Sequence, residues 1–249
     1  MLPYIEQGSG PAVLLIHGAG PDRDQWGGVM AELASDHRVV AYNRRGYAGS
    51  GEPVQDWDTH IGDAIELLEA GGVGRAKVVG HSAGTIVAVG VAARRPELVE
   101  RLIAFDPILY GQKRPTFRLI QTVLKVQRLR KRDPESAVEV FYRWATSYSD
   151  GSGSAFDHMS SEDQAAMKAR HPGVFADMDA GDGSSEIKSV DGVAGATVAV
   201  GELTDSWFAK NSRALARRLP DAKLETVERA GHAVQLDNPH RVAEIIRSG

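Results

Sequence analysis

Ser82 stands between two glycines, in Gly80-His81-Ser82-Ala83-Gly84. An apolar run, Ala76 to Gly80, precedes it, and a helix-compatible run, Ala83 to Arg95, follows. A G-x-S-x-G pattern between a strand and a helix can do nucleophilic chemistry; without those neighbours it carries little information. The chain must reverse sharply there, which forces the residue at the tip into a left-handed backbone at about 1–3 kcal/mol of strain. The flanking glycines let strand and helix approach. The hydroxyl is thereby held out at the carboxyl edge of the sheet.

A serine hydroxyl needs a base, and the base needs a carboxylate that fixes its tautomer. Of the eight histidines, His232 in Ala230-Gly231-His232 follows the last expected strand. Asp205, in Gly201-Glu202-Leu203-Thr204-Asp205, follows the strand before it. This yields the chain order Ser82, Asp205, His232. Asp106 also ends a strand and is the competing carboxylate. Asp205 has a structural alternative as the N-terminal charge of the helix beginning at Ser206. For the oxyanion of a tetrahedral intermediate, the donors expected are the backbone N–H groups of Ala83 and of Ala19 in His17-Gly18-Ala19-Gly20.

The elements that must position these residues alternate. Strands are expected at Ala12 to Ile16, Arg38 to Tyr42, Ala76 to Gly80, Leu102 to Asp106, Ala196 to Gly201 and Lys223 to Val227. Helices are expected at Asp24 to Ser35, Thr59 to Ala70, Ala83 to Arg95 and Ser206 to Leu219, with a last one opened by Asn238-Pro239. Alternation of this kind predicts an α/β fold, a mostly parallel sheet flanked by helices. Between Gly111 and Val190 no strand pattern occurs. Helical patterns at Pro115 to Arg132, Pro134 to Tyr148, Glu162 to Arg170 and Pro172 to Ala180 predict an all-helical insertion over 111–190, with a core of 1–110 and 191–249.

Composition narrows the function. The 249 residues hold no cysteine and carry a net charge of −4. Thiolate chemistry and Cys-based zinc sites are excluded, and nothing in the charge points to nucleic acid. No apolar run reaches the ~20 residues of a membrane span, and Met1 to Gly10 lacks the pattern of a secretory leader. A cytoplasmic location is expected. Gly18-Ala19-Gly20 begins like a dinucleotide fingerprint, but Arg23 stands where the third glycine belongs. His158 and His171 lack ligand-like spacing, so neither cofactor nor metal is expected. The basic run Arg114 to Arg132 reads first as the solvated face of an amphipathic helix. Attraction of an acidic substrate or a membrane surface is its functional alternative.

The blocks Leu14-Leu15-Ile16-His17-Gly18, Asn43-Arg44-Arg45-Gly46-Tyr47-Ala48-Gly49-Ser50, Gly80-His81-Ser82-Ala83-Gly84 and Gly231-His232 to Asn238-Pro239 resemble the α/β-hydrolase fold family across nearly the whole chain. Within it they are similar to the cofactor-free serine hydrolases with a helical cap. The resemblance implies a Ser-Asp-His triad beneath that cap. Two departures stand out. Only Tyr4 to Gln7 precedes the first buried strand, where the family has a longer hairpin, so an edge strand is expected to be missing. The loop block opens with Asn43 where the family usually has Asp.

The reading that follows is an esterase-like hydrolase. Its partner is a small or medium apolar ester, thioester or lactone, and its oligomeric state is left open. C–C bond hydrolases, amidases, acyltransferases and perhydrolases use the same parts. Ser82 argues against the neighbouring epoxide hydrolases and dehalogenases, whose nucleophile is Asp. A ligand receptor or a lyase on the same scaffold is the rival. Trp57, Phe105, Ile108 and Trp144 are expected to touch substrate, with Phe141, Tyr142 and Tyr148 as further aromatic candidates. Activity is expected to fall in acid as His232 protonates, near its reference value of about 6.5.

Overall fold

Strand β2 (Ala12–Ile16) is buried at every residue, as its unbroken apolar run requires of a strand covered on both faces. In a computed structural model, which describes residues 2–108, 115–183, 193 and 195–249, it pairs with β3 (Arg38–Tyr42) on one side and β4 (Ala76–His81) on the other, parallel to both. Beyond β4 come β5 (Val99–Phe105), β6 (Thr197–Gly201) and β7 (Lys223–Val227), all parallel. At the opposite edge β1 (Tyr4–Gln7) runs antiparallel to β3, with Tyr4 opposite Tyr42. The sheet order is therefore β1-β3-β2-β4-β5-β6-β7. Tyr4–Gln7 is thus a single edge strand where a longer hairpin was the family pattern. β5 starts earlier than its apolar pattern indicates, because Val99 pairs with Ala76 ahead of a register shift.

Side chains alternate across β2. Leu14 and Ile16 join the cluster beneath α2 (Trp57–Glu69) and α3 (Gly84–Arg94). Val13 and Leu15 face α1 (Gly27–Leu33) and α10 (Pro239–Ser248). Two layers of helices therefore hide both faces of the sheet, as the period of 2 along each strand demands. A short α9 (Val234–Asp237), unexpected from sequence, precedes α10.

Between β5 and β6 lie α4 (Phe117–Leu129), α5 (Pro134–Ala145), α6 (Ser161–Ala169) and α7 (His171–Ala180). Side-chain oxygens of Thr116, Asp133 and Ser160 cap the first three by accepting from Leu119, Ser136 and Asp163 N–H. These helices share a cluster of their own, built on Val138, Tyr142, Phe156, Met167 and Val174, which Tyr47 from the loop after β3 enters. The expected domain boundaries at 110/111 and 190/191 lie outside the described residues.

α8 (Ser206–Arg218) links β6 to β7. Parallel strands bring the ends of β2, β4, β5, β6 and β7 to one edge of the sheet. That edge carries the loops that hold Ala19, Ser82, Asp106, Asp205 and His232.

Candidate active site

Ser82 sits at φ +51°, in the left-handed region that a turn between strand and helix imposes. The turn exists because two glycines permit it. A Cβ on Gly80 would lie 2.5 Å from the Gly84 carbonyl oxygen, and one on Gly84 would lie 2.4 Å from that of Ile16. The strained residue is fixed from both sides. Its N–H donates to the Phe105 carbonyl at 2.9 Å, and its carbonyl accepts from the Thr85 N–H at 3.0 Å and the Thr85 hydroxyl at 2.5 Å.

His232 follows β7 and is buried. The Phe208 ring stacks on its imidazole with centroids 3.7 Å apart. Its carbonyl accepts from His81 Nε2–H at 2.7 Å. Burial lowers the His232 pKa to about 3, against the opposing pull of the Asp205 charge. His81 is also lowered to about 3, by burial and then by His232. The neutral imidazole is therefore the resting form, and protonation moves well below the value of an exposed histidine.

The two carboxylates are placed differently. Asp106 Oδ2 lies 3.7 Å from His232 Nδ1, the one carboxylate within 4.0 Å of that ring among the described residues. Asp106 is fully buried at φ +42°. Burial pushes its pKa well above the usual carboxylate range, although the Gly201 N–H and Thr204 work against this. Asp205 Oδ1 accepts from the Trp207 N–H at 2.8 Å and so caps α8. Its Oδ2 lies 3.9 Å from Arg118. Distance singles out Asp106, whereas the charge acting on His232 comes from Asp205.

The loop His17–Gly20 passes beside Ser82, since a Cβ on Gly18 would lie 3.0 Å from the Ser82 Cβ. Ala19, Ser82 and Ala83 line a cavity of about 420 Å³ whose walls include Trp57, Ile108, Leu119, Phe141, Trp144, Trp207 and Phe208. A smaller hollow of about 30 Å³ is shared by Ala19, Ser82, His81 and His232. Of the expected substrate contacts, Trp57, Ile108 and Trp144 line the larger cavity. Phe105 does not. It points into the core between the sheet and α10 with Ile103 and Ala199, because its position on β5 faces the other layer. Tyr148 also lies elsewhere, donating to Asp237 Oδ1 at 2.9 Å. Among the described residues no group of three His, Asp or Glu side chains is placed to hold a metal ion.

Residues 13–245 match the Alpha/beta hydrolase family. The chain belongs to this family. It is 37% identical over 110 residues to the uncharacterized hydrolase YraK of Bacillus subtilis (strain 168), covering 43% of this chain and 41% of that one. It is 35% identical over 104 residues to the 2-hydroxymuconate semialdehyde hydrolase of Pseudomonas sp. (strain CF600), covering 39% and 37%. The matched segment thus spans about two fifths of these relatives' length. A thermophilic esterase from Thermogutta terrifontis shares the fold with a TM-score of 0.78 at 23% identity, covering 99% of this chain and 92% of that one. The enol-lactonase from Burkholderia xenovorans LB400 does so with a TM-score of 0.78 at 20% identity, covering 99% and 95%.

Sequence reasoning missed the device that holds the site of this family member together. Arg44, from the loop after β3, is fully buried. Its Nε donates to the His17 carbonyl at 3.1 Å and its Nη2 to that of Gly18 at 3.0 Å. The same guanidinium forms a bidentate pair with Asp177 of α7, at 3.0 and 2.6 Å. The Tyr47 hydroxyl donates to Asp177 Oδ2 at 2.7 Å. Burial alone would lower the Arg44 pKa, but Asp177 more than offsets it and the net shift is upward. His17 closes the knot. Its Nδ1–H donates to the Gly18 carbonyl at 2.7 Å, and its Nε2 accepts from the Arg44 N–H at 2.9 Å. Only the neutral ring can do both, and burial lowers its pKa well below 6.5. Asn43, in the family's usual Asp position, accepts from the Arg23 N–H at 2.9 Å and donates to the Ala48 carbonyl at 3.2 Å, a loop-bracing role. The signal for Arg44 lay in its loop block; its partner 133 residues away had none.

Removing one member of this pair leaves a buried uncompensated charge. Asp177→Asn is expected to lower unfolding free energy by about 3–5 kcal/mol, read from the urea midpoint. A loss under about 1 kcal/mol, the scale of an exposed pair, would contradict the assignment.

Proposed function

We propose that this chain is a serine hydrolase that cleaves small or medium apolar esters, thioesters or lactones through an acyl-enzyme. The observation that carries the reading is the strained Ser82 on the floor of an apolar cavity, with His232 lining the adjoining hollow. Ser82 Oγ attacks the acyl carbon while His232 takes its proton. The carbonyl electrons move to an oxyanion that accepts from the Ala83 and Ala19 N–H groups, a single such donor being worth on the order of 3 kcal/mol of barrier. Collapse expels the alcohol or thiol, protonated by His232. Water, deprotonated by the same ring, then releases the acid. The helices between β5 and β6 act as a cap. They place Leu119, Phe141 and Trp144 opposite Ser82 and favour an apolar acyl group.

The orienting carboxylate is taken to be Asp205 on the chain order Ser82, Asp205, His232 and its place in the loop after β6, with its charge opposing the desolvation of the ring as support. Asp106 is the second reading, favoured by its 3.7 Å approach. The two separate by kinetics. Asp205→Asn is expected to reduce kcat/KM by ~10²–10⁴ and Asp106→Asn by no more than ~10-fold. The reverse order would give the role to Asp106.

Labelling with a small tagged fluorophosphonate tests the nucleophile without a guess at substrate. Modification is expected on Ser82, abolished in Ser82→Ala and strongly reduced in His232→Ala. Folded protein that stays unlabelled, yet binds ligands indifferently to His232→Ala, would instead fit a receptor.

The pH profile follows from the burial of His232. The working base is neutral, so kcat/KM falls as pH drops through its free-enzyme pKa. Since that value is lowered to about 3, the acid limb is expected well below the ~6.5 of an exposed histidine. The profile should be read where circular dichroism reports a folded chain, because buried neutral histidines also draw stability down in acid. An acid limb at 6.5 or higher would overturn the lowering of His232 by burial and leave it titrating like an exposed histidine.

A further inference from the structure

Helix α4 is turned inside out. Only Val126 is buried, while Phe117 is 74% exposed, Leu124 53%, Val123 46% and Ile120 42%. Phe117, Ile120 and Leu124 follow the i, i+3, i+7 spacing of one helical stripe, and Val123 extends it. The apolar ridge runs along a helix about 20 Å long and faces solvent. Isolated exposed apolar residues need no explanation, but a contiguous ridge marks an interaction surface.

The charges beside it are of one sign. Residues 115–132 hold six Lys or Arg and no Asp or Glu, in a chain whose net charge is −4. Arg118, Lys125 and Arg128 fall within one arc of the helix, along the edge of the ridge. Among the described residues, Lys125, Arg128, Lys131 and Arg132 have no carboxylate within 4.0 Å, whereas Arg130 is engaged with Asp179 and Arg118 lies 3.9 Å from Asp205 Oδ2. On the other flank Leu119 lines the cavity above Ser82. The ridge therefore lies between a basic strip and the wall of the site.

We infer that the α4 face docks on an anionic lipid surface, the apolar ridge entering the headgroup layer while Lys125 and Arg128 meet the lipid charges. An in-plane helix of this kind needs a large apolar face flanked by cations, and both are present. A second copy of this chain is a poorer occupant. A twofold contact through the ridge would bring two basic strips together, with no acid on either helix to offset them. A nucleic acid would use the cations but leave the ridge exposed to water. Among the described residues no helix is long and apolar enough to cross a membrane, so the attachment is peripheral. It lies beyond the hydrolase reading and does not depend on it.

Co-sedimentation of the full chain with vesicles tests this, using phosphatidylcholine alone and an equal mixture with phosphatidylglycerol. Association is expected with the mixed vesicles, weak or absent with phosphatidylcholine alone, and reduced by added salt. The pair Phe117→Ser with Leu124→Ser, and separately Lys125→Gln with Arg128→Gln, are each expected to weaken partition by at least ~10-fold with the circular dichroism spectrum unchanged. No association of folded protein with the mixed vesicles would overturn the proposal, as would association insensitive to both pairs. A concentration-dependent dimer in analytical ultracentrifugation that Phe117→Ser with Leu124→Ser abolishes would assign the ridge to a second copy instead.

Discussion

A guanidinium with no access to water, that of Arg44, joins three parts of the molecule that are far apart in sequence. It holds the carbonyls of His17 and Gly18, so it sets the path of the loop beside Ser82. It pairs with Asp177, so it also anchors α7 against the sheet edge. Burying such a charge is tolerable only where its donors find acceptors, and here four N–H bonds run to the His17–Gly18 loop and to α7. The helices over the site cannot shift at α7 without disturbing the chain next to Ser82. Roof and floor of the cavity are therefore one mechanical unit at this point.

The second organising fact is desolvation. Phe208 lies flat on His232 and packs in turn against Trp144 and Trp207. The same dryness that favours a neutral imidazole strengthens any charge developing in the cavity. It also sorts the two acids. Asp106, sealed at the end of β5, is driven toward its neutral form, while Asp205 at the mouth of α8 is the acid whose charge opposes the desolvation of the ring. Proximity and charge thus come from different residues, an outcome that follows from which strand end is covered and which is open.

Membership of the Alpha/beta hydrolase family settles the scaffold and leaves the substrate to the cavity. On such a fold the chemistry is set by loops and lids. In this chain the helices between β5 and β6 that line the cavity are α4, α5 and α7. Their cavity-lining side chains include Leu119, Phe141, Trp144 and Met178, with Asp177 as the charged member, whereas the outer face of α4 is apolar and basic.

Sequence alone determined the order of the parallel strands' segments, the turn at Ser82 and the loops bearing His232, Asp106 and Asp205. These depend on local patterns: apolar runs bounded by turn residues, and two glycines spaced for a strand–helix crossing. Tertiary structure decided what depends on distant neighbours. Edge strand β1 forms because β3 offers it an unpaired edge, which four residues of sequence cannot announce. Phe105 faces the core while Ile108 faces the cavity, a matter of which side of β5 each reaches. The Arg44–Asp177 pair spans 133 residues and leaves no periodic trace. Which carboxylate approaches His232, and which one's charge acts on it, depends on burial, and burial is a property of the packed chain, not of any segment of it.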